Sequence, residues 1–394
     1  MAADHHVPGE ARRLSIAMVG LRGIPATYGG VEKAVEGLSV ELAKRGHRVT
    51  VYAREAYCDT AIESYEGVRL RYLSQINTKH LEALSHTALA LASILRDGGH
   101  DLVHFHATGP ALMSFVPRLR GIPTVATVQG LDWRREKWGR GATRVLRVAA
   151  YASARVPTRT IVVSRELQRH FRAEYATETI YIPNGVDIHE LGAGTPVEDL
   201  QPDRYILFLG RLVPEKHVHT LIAAYRQTTL DLPLVIAGPS SHSQDYVASL
   251  HELGAGDERI RFVGPRYGDE KAWLLRNAAV FVQPSSIEGL PIALLEALGC
   301  GAFPIVSDIP ENLEPVTTED GRLGLEFPVG DVSALTDRLQ QAVGRPTRQA
   351  EGERLSRHVA ATYDWPRIAE RTEAVYYDAI AAGARSATAA VAEP

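Results

Sequence analysis

The stretch densest in residues able to do chemistry is Pro284-Ser-Ser-Ile-Glu288-Gly289-Leu290-Pro291-Ile292-Ala-Leu-Leu-Glu296. Two carboxylates bracket a point where a strand gives way to a helix, and Pro291 suits the first helical position. The unpaired amides of Leu290, Ile292 and Ala293 then suit an anion. Glu288 precedes the helix, in reach of the sugar part of a ligand, whereas Glu296 lies a turn or so inside and can accept hydrogen bonds from ribose hydroxyls. The alternative is one carboxylate stabilising a helix dipole and one ordinary helix glutamate. A second run, Gly210-Arg211-Leu-Val-Pro-Glu-Lys216-His217, pairs a guanidinium fork with an ammonium point charge. Together they can neutralise a diphosphate leaving group without a metal, though either alone reads as solvated surface charge. A third, Gly20-Leu-Arg-Gly-Ile-Pro-Ala-Thr-Tyr-Gly29-Gly30, opens directly into a helix. Its glycines and the positive helix end suit a phosphate, or else serve a turn needing positive φ. Its spacing matches neither the dinucleotide fingerprint nor the P-loop.

Short apolar runs at 14–19, 49–53, 68–73, 101–106, 123–128 and 160–163 alternate with segments of helical period, the pattern of parallel strands buried on both faces. Val31, Val35, Leu38 and Leu42 share one helical face and Gly46 follows as a stop, predicting a helix over 31–45. Glycines and prolines interrupt the rhythm between Asp187 and Asp203. It then restarts at 205–209, 234–237, 259–263, 280–283 and 304–306. The expected fold is α/β, two doubly wound Rossmann-like domains facing each other across an interdomain cleft. The expected domains are 14–190 and 203–364, with a final helix, about 365–381, joining the first. Residues 1–13 and 382–394 are expected to be disordered.

The 394 residues are 45% hydrophobic and 23% charged, enough apolar side chain for two ordinary domains. A formal charge of -4 argues against overall attraction to nucleic acid, and no nucleic-acid partner is expected. Cys58 and Cys300 form no disulfide or zinc pattern, and no apolar run is long enough for a signal or a membrane span, so a cytoplasmic setting is expected.

Glu288 and Glu296 form the E-x7-E pattern of the retaining glycosyltransferases of family 4, which have the GT-B fold. Gly210 to Lys216, Ile182-Pro-Asn-Gly-Val-Asp187 and Ser307-Asp-Ile-Pro-Glu-Asn312 also resemble segments of that family, and the likeness runs from about Leu14 to Ala381. The opening glycine loop resembles a bacterial subgroup that includes rhamnosyl and other surface-polysaccharide transferases. What the resemblance implies is a nucleotide-sugar donor held mainly by the second domain. Arg211 and Lys216 would hold the diphosphate, Glu296 the ribose and Glu288 the donor sugar. The strand end at Val263 would meet the nucleobase, while Gly29 and Gly30 close over the phosphates. The acceptor would be a carbohydrate or glycolipid, and no metal or other cofactor is expected. A non-catalytic sugar-nucleotide binder and a GT-B sugar-nucleotide epimerase are the competing readings.

Where many relatives carry histidine before Gly-Leu-Asp-Trp, this chain has Gln129-Gly-Leu-Asp132-Trp133. Glutamine cannot titrate as imidazole does, but it can still bond a sugar hydroxyl. His104 and His106 stand on one strand and are expected to point to opposite faces. His106, nearer the strand end, is a candidate for the cleft or else a satisfied core histidine. Glu32, in the subgroup signature, and Asp132 and Trp133 are acceptor-side candidates; for Glu32 a dipole-stabilising first-turn glutamate is the alternative. The basic run from Arg134 to Arg147, with Trp133 and Trp138, can meet anionic lipid headgroups peripherally or serve as a solvated helix face.

Overall fold

The computed structural model describes residues 12–26, 29–76, 78, 81–131, 140–188, 192, 194–197, 199–240 and 244–392, with side chains left aside at 140–143 and 386–392. Two largely parallel sheets form its frame. The first contains β1 (Ser15–Val19), β2 (Arg48–Arg54), β3 (Ser64–Tyr65), β4 (Val68–Leu73), β5 (Leu102–His106), β6 (Thr124–Val128), β7 (Arg159–Val162) and β8 (Ile180–Tyr181). Their order is β3-β4-β2-β1-β5-β6-β7-β8, and β3 runs antiparallel to β4. The second contains β9 (Ile206–Leu209), β10 (Leu234–Ala237), β11 (Ile260–Gly264), β12 (Val280–Gln283) and β13 (Phe303–Ser307). After a small hairpin of β14 (Thr317–Thr318) and β15 (Gly321–Arg322), β16 (Leu325–Phe327) completes this sheet. Its order is β11-β10-β9-β12-β13-β16, every pair parallel.

Each predicted apolar run forms a strand within a residue or two of its expected ends, because a strand covered on both faces must be apolar at nearly every position. β1, β5, β6, β10, β12 and β13 are buried along their whole length. Strands β3, β8 and β16, only two or three residues long, carry no such run and were not legible. The helix predicted at 31–45 spans Gly30–Lys44.

By contact the chain divides into two compact units. One comprises 1–127, 152–160 and 371–394, the other 128–151 and 161–370. This division does not fall at the Pro- and Gly-rich stretch 187–203. The helix Arg165–Tyr175 and β8 belong with the helix Pro310–Val316, where Glu314 accepts from the Tyr181 hydroxyl at 2.5 Å and the Arg165 amide at 2.9 Å.

The last helix runs from Trp365 to Ala392, well past the expected end near 381, because its alanine-rich sequence favours continued helix. Within the first unit Glu373 accepts from Arg45 at 2.8 Å and 2.5 Å and contacts His47 Nε2 at 3.0 Å. Tyr376 bonds His104 Nδ1 at 2.7 Å, and His104 Nε2 meets Thr127 Oγ1 at 2.7 Å. Burial holds His104 well below the usual imidazole range, so the ring is neutral and both nitrogens are used.

The expectation for the two histidines fails. Residues two apart on a strand share a face, and the His104 and His106 rings stand 4.1 Å apart, centroid to centroid. His106 is 2% exposed, with Nε2 3.4 Å from Met18 Sδ and Nδ1 without a partner among the described residues. Desolvation lowers its pKa to about 3. It is a core side chain whose burial favours the neutral ring.

Candidate functional site

In an open α/β sheet, ligands gather beyond the carboxyl ends of the strands where the strand order reverses. In the second sheet the chain builds β9, β10 and β11 to one side, then returns to place β12, β13 and β16 on the other. The reversal lies between β9 and β12. The loops leaving those two strands are Gly210 to His217 and Pro284 to Pro291, the two runs singled out from the sequence.

Backbone geometry joins them. The Ser286 amide donates to the Glu215 carbonyl at 2.9 Å. Pro214–Lys216 forms a 3₁₀ turn closed by His217 in the left-handed region, φ 53°. That turn carries Lys216 to Glu288, whose Oε1 accepts from the ammonium. The pair is largely enclosed, with side-chain exposures of 16% and 10%. Arg211, half-buried, follows Gly210 directly after β9. Gly210 donates its amide to Ala237 O at 3.0 Å, and a Cβ on Gly238 would come within 1.8 Å of the Gly210 carbonyl, so that approach requires glycine.

The helix after Glu288 spans Ile292–Gly299, with Pro291 as its N-cap rather than its first helical residue. Its ψ of 105° is extended, so the helix begins one residue later than predicted. Among the described residues no side chain caps this end, and no acid lies in its first turn. The amides of Ile292 and Ala293 therefore have no intrahelical acceptor and face the positive end of the dipole. Leu290 is buried beside them. Gly289 packs on the Gln129 carbonyl, which a Cβ would approach to 1.8 Å. The fold thus brings Gln129 beside the Glu288 loop within one unit.

Glu296 is 4% exposed and its Oε1 accepts from Lys271 Nζ at 2.7 Å. Lys271 lies on the helix Gly268–Arg276, which follows β11. Nothing in its local pattern separates it from surface charge. Val263 lies at a β-bulge: β10 and β11 pair Ile236 with Phe262 and then Ala237 with Gly264, so Val263 is skipped. A bulge re-aims its side chain, here at a strand end beside the reversal. Gln283, the last residue of β12, was also missed. Its signal was available, since it is the one polar residue in Val280-Phe-Val-Gln283.

In the first unit Gly29 and Gly30 stand at the start of the helix Gly30–Lys44, Gly29 as its N-cap. Two glutamates of that helix strap the loop before it. Glu32 Oε1 accepts from the Arg22 amide at 3.3 Å, and Glu36 Oε2 from the Ala26 amide at 2.5 Å. Glu32 is 9% exposed, with one oxygen on the loop amide. Asp132 and Trp133 lie outside the described residues.

Two family models match the chain: Glycosyltransferase Family 4 over residues 28–190, and Glycosyl transferases group 1 over 197–357. Among curated relatives, D-inositol 3-phosphate glycosyltransferase of Saccharomonospora viridis is 26% identical, with 90% of each chain covered. Phosphatidyl-myo-inositol mannosyltransferase of Mycobacterium leprae is 25% identical, covering 91% of this chain and 95% of that one. Among solved structures, sucrose-phosphate synthase from Thermosynechococcus elongatus superposes with a TM-score of 0.80 at 25% identity, covering 94% of this chain and all of the other.

Proposed function

The chain belongs to glycosyltransferase family 4 and has the GT-B fold, and from that premise we propose that it is a retaining, metal-independent transferase that moves a sugar from a nucleoside diphosphate to a hydroxyl of a carbohydrate or glycolipid in bacterial surface assembly. The observation that supports the site reading is that the loop carrying Arg211 and Lys216, the Lys216–Glu288 pair and an uncapped helix end all lie at one topological reversal. The two curated relatives, an inositol-phosphate glycosyltransferase and a phosphatidylinositol mannosyltransferase, support a polyol or glycolipid acceptor.

As the bond from the anomeric carbon to the diphosphate oxygen breaks, negative charge builds on the departing diphosphate. Arg211 grips it as a fork. Lys216 has three N–H groups, so one can stay on Glu288 while the others meet phosphate oxygens. The amides of Ile292 and Ala293 act on the same charge without reorganising. The acceptor oxygen bonds the anomeric carbon on the face the diphosphate leaves, and its proton passes to a diphosphate oxygen. Glu288 holds the donor sugar, and Gln129 offers its amide to a sugar hydroxyl. Glu296, steadied by Lys271, receives the ribose hydroxyls, and the bulge at Val263 meets the base. With three cationic or dipolar groups on the leaving group, a divalent ion is superfluous.

The test is transfer from a panel of UDP-, GDP-, ADP- and dTDP-sugars in excess chelator, with the anomeric configuration of the product read by NMR. Retained configuration at undiminished rate is expected. An inverted product, or turnover that returns only with magnesium, overturns the proposal.

No helix among the described residues is long and apolar enough to cross a membrane. For the acceptor, a peripheral contact with anionic lipid is proposed at the helix Arg140–Arg155. Val145 and Val148 are 55% and 60% exposed there beside exposed Arg144 and Arg147. Sedimentation with phosphatidylglycerol vesicles should fall about tenfold or more for the Arg144→Glu/Arg147→Glu double variant. Equal sedimentation of both proteins, or no binding at low salt, sinks the contact.

A further inference from the structure

Gln283 ends β12 only 1% exposed, at the close of an otherwise apolar run. Its amide nitrogen donates to Glu288 Oε1 at 2.6 Å and to Ser285 Oγ at 2.8 Å. A primary amide has two N–H groups, so both are committed and the side chain is fixed. Oε1 of Glu288 thus takes two donors, Gln283 and Lys216. Among the described residues both donors go to Oε1, which leaves Oε2 the oxygen available to a ligand.

The orientation of the Gln283 amide is forced. Turned over, it would set its carbonyl oxygen against a carboxylate. As it stands, that oxygen is buried without a partner among the described residues, and so is Oδ1 of the fully buried Asn312 behind it. Asn312 Nδ2 donates to Ser307 Oγ at 2.7 Å, and Ser307 Oγ to the Ser285 carbonyl at 2.5 Å, which supports the loop from below. Burying an acceptor without a donor costs stability that an apolar residue in the same space would not. The position bears this cost where the other end of the same amide grips Glu288.

We propose that Gln283 is the positioning residue for Glu288. It turns Oε2 toward the donor sugar through a hydrogen bond from a neutral donor, which does not weaken when Lys216 shares its charge with the diphosphate. This rests on the reading of Glu288 as the sugar contact.

The experiment compares wild type, Gln283→Met, Gln283→Glu and Glu288→Gln. Calorimetry would measure affinity for UDP, GDP, ADP and dTDP and for their sugars, and kinetics would measure kcat and KM. In Gln283→Met the affinity for the bound nucleoside diphosphate should stay within about twofold. The extra affinity given by the sugar should shrink and kcat should fall about 10- to 100-fold, the worth of a hydrogen bond to a charged group. Gln283→Glu keeps the shape but faces Glu288 with an acceptor at neutral pH. Lys216 is the charged group against Glu288, while Ser285, Ser307 and Asn312 do not titrate. The activity of Gln283→Glu relative to wild type should therefore recover as pH falls and the introduced carboxyl regains a proton to donate. That recovery decides the matter if the methionine variant does not fold.

Unchanged kcat and sugar increment in Gln283→Met, or nucleotide affinity falling in step with kcat, would overturn the proposal. So would the absence of acid recovery in Gln283→Glu. If Glu288→Gln itself leaves sugar affinity and turnover intact, the failure lies in the reading of Glu288, a result separable from the others.

Discussion

Glu288→Gln lowers kcat about 10²- to 10³-fold while affinity for the bare nucleoside diphosphate holds or rises; that is the expected result, measured by kinetics and calorimetry on the same protein. The size follows from removing one preorganised charged contact at the reacting centre. The opposite sign for the nucleotide follows from Lys216. Its ammonium is paired with Glu288 in a largely enclosed setting, so part of its charge is spent inside the protein. With a neutral amide at 288, that charge is fully available to the diphosphate. A global defect would weaken both quantities together. Breaking a largely buried pair also leaves Lys216 uncompensated, so the melting temperature should drop even where nucleotide affinity does not. Equal loss of turnover and nucleotide affinity would overturn the assignment of Glu288 to the sugar.

How much of this was legible beforehand depended on distance along the chain. Apolar runs and turn residues report local structure, so the strands and the Gly30–Lys44 helix could be read directly. The Glu288 and Glu296 pair lies within one strand-to-helix turn and was equally readable. The partners of those carboxylates were not, because they come from elsewhere. Lys216 reaches Glu288 from the β9 loop, and Lys271 reaches Glu296 from the helix after β11. In both carboxylates one oxygen is held by a lysine distant in sequence, which no linear spacing encodes. His106 failed for a different reason. A histidine near a strand end resembles a site residue, yet the shared face with His104 and complete burial make it part of the core. Glu32 looked like an acceptor contact because it lies in the opening signature, at the start of a helix. The loop it straps is ten residues upstream, beyond the reach of a helical pattern.

The second large effect concerns Arg211. Arg211→Ala should weaken nucleoside diphosphate binding about 10- to 100-fold, the worth of a charge-assisted hydrogen bond to an anion, with or without chelator present. Arg211→Lys should recover only part of that loss, because an ammonium supplies the charge but not the planar fork that meets two phosphate oxygens at once. The position makes the effect local. Arg211 follows Gly210, the first residue after β9, and Gly210 is held by Ala237 and packed on Gly238, so the backbone that carries the guanidinium is fixed by the sheet. Lys216 is one turn further on and already engaged by Glu288, so it cannot take over the missing fork. The nucleotide sugar should lose affinity by the same factor as the bare diphosphate, in contrast to Glu288→Gln, where the two should part. That contrast separates the groups holding the leaving group from the group holding the sugar. If magnesium restores binding to Arg211→Ala but not to wild type, a cation can replace the guanidinium, and the site works by charge alone. If magnesium raises affinity in both, the leaving group needs a metal in the native enzyme and the division of labour among Arg211, Lys216 and the helix end is wrong.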